Sequence, residues 1–532
     1  GTPQSGNTDV VITKYNSVGN ALLYSTYIGG TSTEIVTSMI VDYNNNLCFY
    51  GATGSANFPM DINAYDPSFN GGVPLQFIYN GTSFPGGTDI YLGKLNSSGS
   101  TLMASTYLGG SDNDGVNHVN HQTYISPVIL EYATDSLQFN YGDQYRGEIQ
   151  VDVLNNIYIA SSTRSSNFPT VNAYDNTLGG KQDAIIAKFD PNLSQLLYST
   201  YLGGSSNESG NSLIVTTGLE VYATGGTCSP NFPVTAGASQ ISYAGGKSDA
   251  YIVHLSAAGN QLLHSTFVGT NDYDQSYFVQ SDKYDRIYVY GQSLGNMPVI
   301  NTATPALPYH NTGTHQFIQR FNKTLGAMNL STVFGSSTTH MDVSPCAFSV
   351  DKCNNIYLSG WGGDLINQTY ATVNMPLFQA TQASTDGFDF YFMGLDSSAS
   401  ALKYGSYFGG NQSAEHVDGG TSRFDPRGKI YQSACAGCGG NDDFPVTPGS
   451  WPNTPGDPNH SLNCNNGVVK LDFQLQLSIA TINTASLGVC ANTPVTFTSA
   501  NQPSNPGATT KWFLNNALVS TSGYTTAFTF TA

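Results

Sequence analysis

The residues best suited to chemistry in this 532-residue chain are carboxylates, cysteines and one close pair of histidines. Asp112-Asn113-Asp114, and Asp272 with Asp274, stand in oxygen-rich loops of the kind that take calcium. Neither loop has the D-x-[DN]-x-[DN]-G-x₅-E spacing of an EF-hand, so plain turn formation by Asp competes with calcium there. His118 and His121 lie three apart in an irregular stretch, as a metal pair or as solvated loop histidines. Cys346, Cys435, Cys438 and Cys464 have the ligand count of a zinc site. In a secreted chain the same four are expected to form disulfides. Cys346 and Cys353 sit too far apart along one extended stretch to bridge each other. Cys48 reads as a small core residue, and Cys228 fits either role. No nucleophile elbow, H-E-x-x-H pair or phosphate-cradling G-x-x-x-x-G-K-[ST] is read from the sequence. The repeated S-x-D-x-G-x-x-W boxes of propeller sialidases do not occur. These readings point away from an enzyme; acid pairs brought together from distant parts of the chain, as in glycoside hydrolysis, are the catalytic alternative.

The elements that carry these residues are strands. Charged residues are 10% of the chain, against about 25% in an average soluble protein. Gly, Asn, Ser, Thr and Tyr fill the difference, and no long stretch has a 3.6-residue apolar period. The formal net charge of −18 repels phosphate backbones and argues against a nucleic-acid partner. No apolar run approaches the ~20 residues of a membrane span.

Internal repeats set the architecture. Segments like STYxGG begin at Ser25, Ser105, Ser199, Ser265, Ser331 and Ser406. Hairpins like VDxxNNxYxxG begin at Val41, Val151, Ile214, Ser281, Val350 and Phe424. Segments like DAxIxKLN begin at Asp9, Asp89, Asp183, Asp249, His315, Asp389 and Asn465. Each unit thus supplies four strands: A and B from the hairpin, C from DAxIxKLN, D from LLYSTYLGG. Strand C is apolar on both alternating faces, so both are covered. Four-stranded sheets stacked in a ring meet that need, and the expected fold is an all-β propeller of four-stranded blades. A β-solenoid fits less well, because the period is long and the loops vary. Residues 9–28 supply only C and D. Seven blades with the first incomplete in this chain are therefore expected over residues 1–482; six blades closed by shared strands are the alternative.

Strand order puts the A–B and C–D turns on one rim and the B–C and D–A loops on the other. The first set is short and Asn/Gly-rich; the second holds every long insertion. Function is expected on that second, decorated rim. Its richest insertion, residues 111–148, carries Tyr124, Tyr132, Phe139, Tyr141 and Tyr145, suited to binding if exposed. The alternative is that these loops pack on one another and cover the propeller.

The order STYLGG, VDxxNNxYxxG, NFP (Asn57-Phe58-Pro59, Asn167-Phe168-Pro169, Asn231-Phe232-Pro233) and GGxxDAxIxKLN resembles the SBBP family of propeller repeats of bacterial surface and secreted proteins. Residues 488–497 and 511–516 resemble the first strands of PKD or immunoglobulin-like modules, with Trp512 as core. A partial β-sandwich is expected over residues 483–532. These resemblances imply an extracellular or cell-surface protein that binds or displays, in the manner of an adhesin, with a glycan or protein as ligand. The alternative partner is copies of itself in a filament or sheath. Such repeats are frequent in Bacteroidetes proteins exported by the type IX system and linked to gliding motility. Calcium is the one cofactor candidate.

Overall fold

The computed structural model describes residues 6–77, 81–117, 122–125, 128–131, 136–303, 306–336, 339–362, 372–417, 419–420, 422–425, 428–438, 441–452, 465–473, 494–498, 510–514, 517–522 and 525–529. The chain divides into two units, Gly1–Phe473 and Gln474–Ala532.

The first unit is a propeller of antiparallel sheets. Blade 1 runs Glu34–Val41, Leu47–Thr53, Asp89–Leu95, Leu102–Leu108 from channel to rim of the disc. Blade 2 is Glu148–Val151, Ile157–Thr163, Asp183–Phe189, Leu196–Leu202. Blade 3 is Glu208–Val215, Val221–Thr227, Asp249–Leu255, Leu262–Val268. Blade 4 is Asp274–Ser281, Ile287–Ser293, Gln316–Phe321, Met328–Phe334. Blade 5 is Ser344–Val350, Ile356–Trp361, Phe390–Leu395, Leu402–Phe408. Blade 6 builds its inner edge from two short pieces, Ala414–His416 and Arg423–Phe424, followed by Lys429–Cys438 and Asn465–Asp472.

The blades are six, not seven. Val10–Tyr15 and Leu22–Ile28 form a separate two-stranded sheet. The inner ring passes directly from the sixth blade to the first. Arg423 Nε donates to the Met39 carbonyl and Nη2 to Ser38 Oγ, both at 2.9 Å. The two-stranded sheet instead lies over the outer part of blade 1, where Val10, Ile12 and Ile28 pack with Phe49, Tyr91 and Tyr107.

Strand C behaves as its two apolar faces demand: every residue of Asp183–Phe189 is buried. One core fills each gap between blades. Cys48, Tyr50 and Leu92 of blade 1 meet Ile149, Ile159 and Ile185 of blade 2. Tyr158 and Ile186 of blade 2 meet Leu213 and Tyr251 of blade 3 in the same way.

The repeated polar residues fasten this frame. The Tyr201 hydroxyl donates to the Ser165 carbonyl and accepts from the Phe168 amide, tying strand D to the NFP turn. Tyr107 repeats both bonds at Ser55 and Phe58. Asn57, Asn167 and Asn231 each accept from the residue just after the double glycine: Thr31, Ser111 and Ser205. Asp152 caps its own A–B turn through Leu154 and Asn156, and takes the Tyr158 hydroxyl. Lys94 reaches from strand C to Asp42 at 2.8 Å.

The B–C loops do not stay on the decorated rim. After NFP they run down the open edge of strand D, through Val171 against Ser199 and Phe378 against Gly405. In blade 4 this becomes a short strand, Ile300–Asn301, paired with Leu330 and Ser331. They end on a neighbouring blade: the Tyr65 amide bonds Leu193 O, and the Tyr309 amide bonds Ala399 O. An exposed strand edge invites pairing with other chains, and this loop covers it.

The described residues of the second unit form two antiparallel pairs, Pro494–Thr498 with Thr525–Thr529 and Thr510–Leu514 with Ala517–Ser522.

Candidate functional site: the decorated rim and its plug

Of the insertion expected to be a binding loop, the described hairpin Gln122–Ile125 and Val128–Glu131 pairs with Leu75–Phe77, and the stretch that follows turns inward. Residues 136–147 cross the mouth of the channel and touch inner strands around the ring. Asn140 Nδ2 donates to the Tyr277 hydroxyl at 2.7 Å and to Gln292 Oε1 at 2.8 Å, both in blade 4. Arg146 Nη1 donates to Pro345 O at 2.7 Å and Nη2 to Ser344 Oγ at 3.0 Å, in blade 5. Asp143 lies in a single 3₁₀ turn, Asp143–Tyr145. It takes Arg146 Nε at 3.0 Å, the amides of Phe139 and Asn140, and the Tyr277 hydroxyl. Burial raises the Asp143 carboxyl, and the Arg146 charge opposes the rise. Below the plug, Arg423 Nη1 pairs with Glu148 Oε1 at 2.9 Å, and Glu148 also takes the Ser212 hydroxyl.

This placement corrects the expectation of exposed aromatic contacts. Tyr145 is buried against Phe77, ring centroids 5.3 Å apart. Tyr141 is buried edge-on to Trp361 and His416. Phe139 is half-buried and lies against the Tyr273 ring at 4.5 Å. The alternative, loops packing to cover the propeller, describes these three. Tyr124 lies on the strand Gln122–Ile125, with its side chain outside the described residues; Tyr132 and His118 and His121 are outside them too.

Asp114 and Asp274 belong to a series that spacing alone did not reveal. An acid stands at or next to the start of the inner strand in five blades, Glu34, Glu208, Asp274, Asp342 and Glu415; in blade 2 the equivalent is Asp114, bridged to Thr163 ahead of the insertion that leads to Glu148–Val151. This acid faces the acid at the start of strand C of the sheet before, Asp9, Asp89, Asp183, Asp249 or Asp389; in blade 4 His315 stands at that position of the repeat. The first glycine of STYxGG makes room for each pair. A Cβ on Gly29 would lie 2.6 Å from both Asp9 Oδ1 and Glu34 Oε2; on Gly109 it would lie 2.5 Å from Asp89 Oδ1 and 2.9 Å from Asp114 Oδ2. Asp114 takes the Gly110 amide at 2.7 Å and the hydroxyls of Thr163 and Ser165. Asp274 takes the Thr270 amide and hydroxyl. Asp112 and Asp272 sit two residues earlier, each accepting the amide of its own successor. Among the described residues no group of three His, Cys, Asp or Glu side chains converges as a metal site.

Burial raises these paired carboxyls: Asp89, Glu208, Asp249, Asp274 and Asp389 to about 7, Asp183 to about 6, Glu415 to about 8, and Asp114 well above its ordinary value. Asp389 and Glu415 meet across Gly409, where a Cβ would lie 1.9 Å from Asp389 Oδ1 and 2.4 Å from Glu415 Oε2, and the Asp389 charge adds to the rise at Glu415.

Cys346 is a buried free thiol that donates to Ser344 O at 3.4 Å, so it stands apart from the disulfide cluster expected of it. Burial pushes it up to about 12. Cys435 and Cys438 lie on Lys429–Cys438, opposite Asn466 and Ala414 respectively. The Cys438 side chain and all of Cys464 are outside the described residues. Among the described residues no disulfide is present. Cys48 is fully buried, as its strand position implies.

One G-x-S-x-G string does occur, Gly291-Gln292-Ser293-Leu294-Gly295, contrary to the expectation that the motif is absent. It is no elbow. Ser293 is buried at the end of strand B, with its hydroxyl on the Gly295 carbonyl and amide.

Fold and site together define an all-β protein built on a six-bladed propeller whose channel mouth is plugged by its own chain. No family model matches the sequence. No curated protein matches it. Among solved structures it is similar to a Dyadobacter fermentans protein of unknown function, with 14% identity over 64% of this chain and 74% of that one, TM-score 0.29. It is similar to the NanB sialidase of Streptococcus pneumoniae, with 7% identity over 88% and 71%, TM-score 0.37. It is also similar to the β-propeller domain of the Trilobed protease of Pyrococcus furiosus, with 7% identity over 75% and 77%, TM-score 0.31.

Proposed function

We propose that this chain is an extracellular, non-catalytic binding and display module that engages a glycan or protein through the loops of its decorated rim. The observation that carries this reading is the plug. A propeller takes small substrates where its channel opens as a concave pocket. Here that position is filled by Tyr141, Asp143, Tyr145 and Arg146, all buried. The acids of the repeat support the same reading, because they face each other between blades and take hydrogen bonds from the frame. What the rim offers to a partner is the ring of D–A loop tips: Thr31, Ser111, Ser205, Asn271 and Asn411 are exposed. Small polar tips of this kind suit hydrogen bonding to sugars or peptide backbones. The extracellular setting rests on the repeat resemblance, as does export from the cell.

The test is binding of the purified chain to glycan-coated and protein-coated surfaces, with the tip variant Asn271→Lys/Asn411→Lys beside it. Retention by one ligand class, reduced in the variant at unchanged thermal stability, is the expected result. Equal retention by both proteins removes the rim from the reading. Release of sugar from a glycoside panel replaces it with the catalytic alternative.

A second reading, a subunit of an extracellular filament or sheath, is favoured by one observation. The outward face of the two-stranded sheet exposes Val11, Leu23 and Tyr27. Apolar strand surface of this kind supports assembly. Sedimentation over a concentration series separates the two: a single species supports the first reading, and a ladder supports the second.

A further inference from the structure

The two-stranded sheet differs from every blade in one respect. Strand C of blades 1 to 6 pairs on its inner side with strand B: Asp89–Leu95 with Leu47–Thr53, Asp183–Phe189 with Ile157–Thr163, and so on round the ring. Val10–Tyr15 is the equivalent strand C, and among the described residues it pairs only with Leu22–Ile28.

Its neighbour shows the same gap. Met39 and Val41 on the inner strand of blade 1 are 47% and 57% exposed. Their counterparts on blade 2, Ile149 and Val151, are covered, packing in one core with Cys48 and Tyr50 from strand B of the blade before. Tyr27 completes the pattern. It occupies the position of Tyr201, whose hydroxyl holds the amide of Phe168 in the NFP turn, yet Tyr27 is 44% exposed.

We propose that the inner edge of Val10–Tyr15, with the exposed flank of Met39 and Val41 beside it, is a docking site for one extended strand of this repeat's own B type, ending in Asn-Phe-Pro and carried by another polypeptide. The six complete sheets specify the occupant. It pairs antiparallel to Val10–Tyr15, as Ile157–Thr163 pairs with Asp183–Phe189. Its alternate apolar side chains cover Met39 and Val41, and its terminal turn meets the Tyr27 hydroxyl. Main-chain bonds supply affinity in such strand addition, and the side-chain pockets supply selectivity. Arg423 stays in place on Met39 O, because only strand B is added and the inner ring is left closed.

The experiment uses the full chain and a synthetic peptide of residues 156–169, NIYIASSTRSSNFP. Hydrogen exchange is followed, with and without peptide, at the inner-edge amides of Val10–Tyr15, those not bonded to Leu22–Ile28. Slowing of those amides by about tenfold or more is expected on binding. The Met39→Lys/Val41→Lys chain, changed only at exposed positions, should keep its melting temperature and bind the peptide at least ~tenfold more weakly, since docking would bury two unpaired charges. A peptide with Phe168→Ala should also bind less. Three results overturn the proposal: no slowing at millimolar peptide, slowing confined to other strands, or those inner-edge amides of Val10–Tyr15 already protected in the chain alone. The last would mean that the edge is filled by the chain itself or by a second copy.

Discussion

Arg146 Nε lies 3.0 Å from Asp143 Oδ1 with both side chains buried, and Arg146 also stands over the Tyr277 ring at 4.8 Å. Breaking a buried pair leaves an uncompensated charge and costs about 3–5 kcal/mol. Arg146→Met should therefore lower the unfolding free energy read from urea titration by an amount of that order. It also strips donors from Pro345 O and Ser344 Oγ. Adding Asp143→Asn should recover part of the loss, because the orphaned carboxylate is then neutral. The double-mutant cycle measures the coupling. Strict additivity would mean that the pair does not hold the plug.

The carboxyl pairs give the propeller an unusual pH dependence. A buried carboxyl near 7 keeps its proton in the folded state at pH 5, whereas an unfolded one near 4 has lost it. Folding then binds protons between about pH 4 and 8, so stability is full below the unfolded value and falls as pH rises through the folded one. The melting temperature should be higher at pH 5 than at pH 8.5, and Glu415→Gln, which removes one ionisation at the Asp389 pair, should flatten that slope. Asp42 and Asp282 act oppositely: burial raises them, but donors from Lys94 and Arg286 outweigh it, so their share is lost only on strong acidification. A melting temperature that rises from pH 5 to 8.5 sinks this account. Recovery at pH 8.5 on adding calcium would instead give neutralisation of these pairs to a cation.

The tyrosine of STYxGG offers a matched comparison. Tyr201→Phe removes a hydroxyl bonded at 2.6 Å to Ser165 O and at 3.0 Å to the Phe168 amide, leaving those two backbone groups only their 3.2 Å bond to each other. The expected cost is about 0.5–1.5 kcal/mol for each hydroxyl bond lost. Tyr27→Phe changes the same position of the repeat where the ring is exposed, and should be within about 0.5 kcal/mol of neutral. Equal effects in thermal melts would show that the tyrosine acts through ring packing and not through its hydroxyl.

Much of this frame was legible in the sequence because each repeat states the same local rule six times. Alternation in DAxIxKLN exposed the doubly covered strand C, and VDxxNN marked the A–B turn that Asp152 caps. The blade count was not legible, since Val10–Tyr15 carries the same letters as a complete strand C while Arg423 closes the ring without it. The plug was misread for a related reason. Tyr141 and Tyr145 stand in an insertion with no periodicity, and only the tertiary channel decides whether such aromatic rings turn in or out. The carboxyl pairs escaped because their members lie about 25 residues apart in different sheets, joined across a glycine with no side chain of its own.

The cysteines are the remaining point at which sequence and structure part, and labelling separates them. Cys346 and Cys48 are buried, each pushed up to about 12 by burial, so neither offers thiolate at neutral pH. Thiolate is the reactive form, and access governs the rest. Cys353 is exposed in an A–B turn, though burial and the nearby Asp351 raise it somewhat. Brief alkylation of the native protein at pH 8 should mark Cys353 first, and Cys346 and Cys48 only after denaturation. Peptide masses read with and without reductant settle the pairing of Cys435, Cys438 and Cys464 in the same samples. Failure of denatured, unreduced Cys346 to alkylate would restore it to a disulfide and overturn its assignment as a thiol held on Ser344 O.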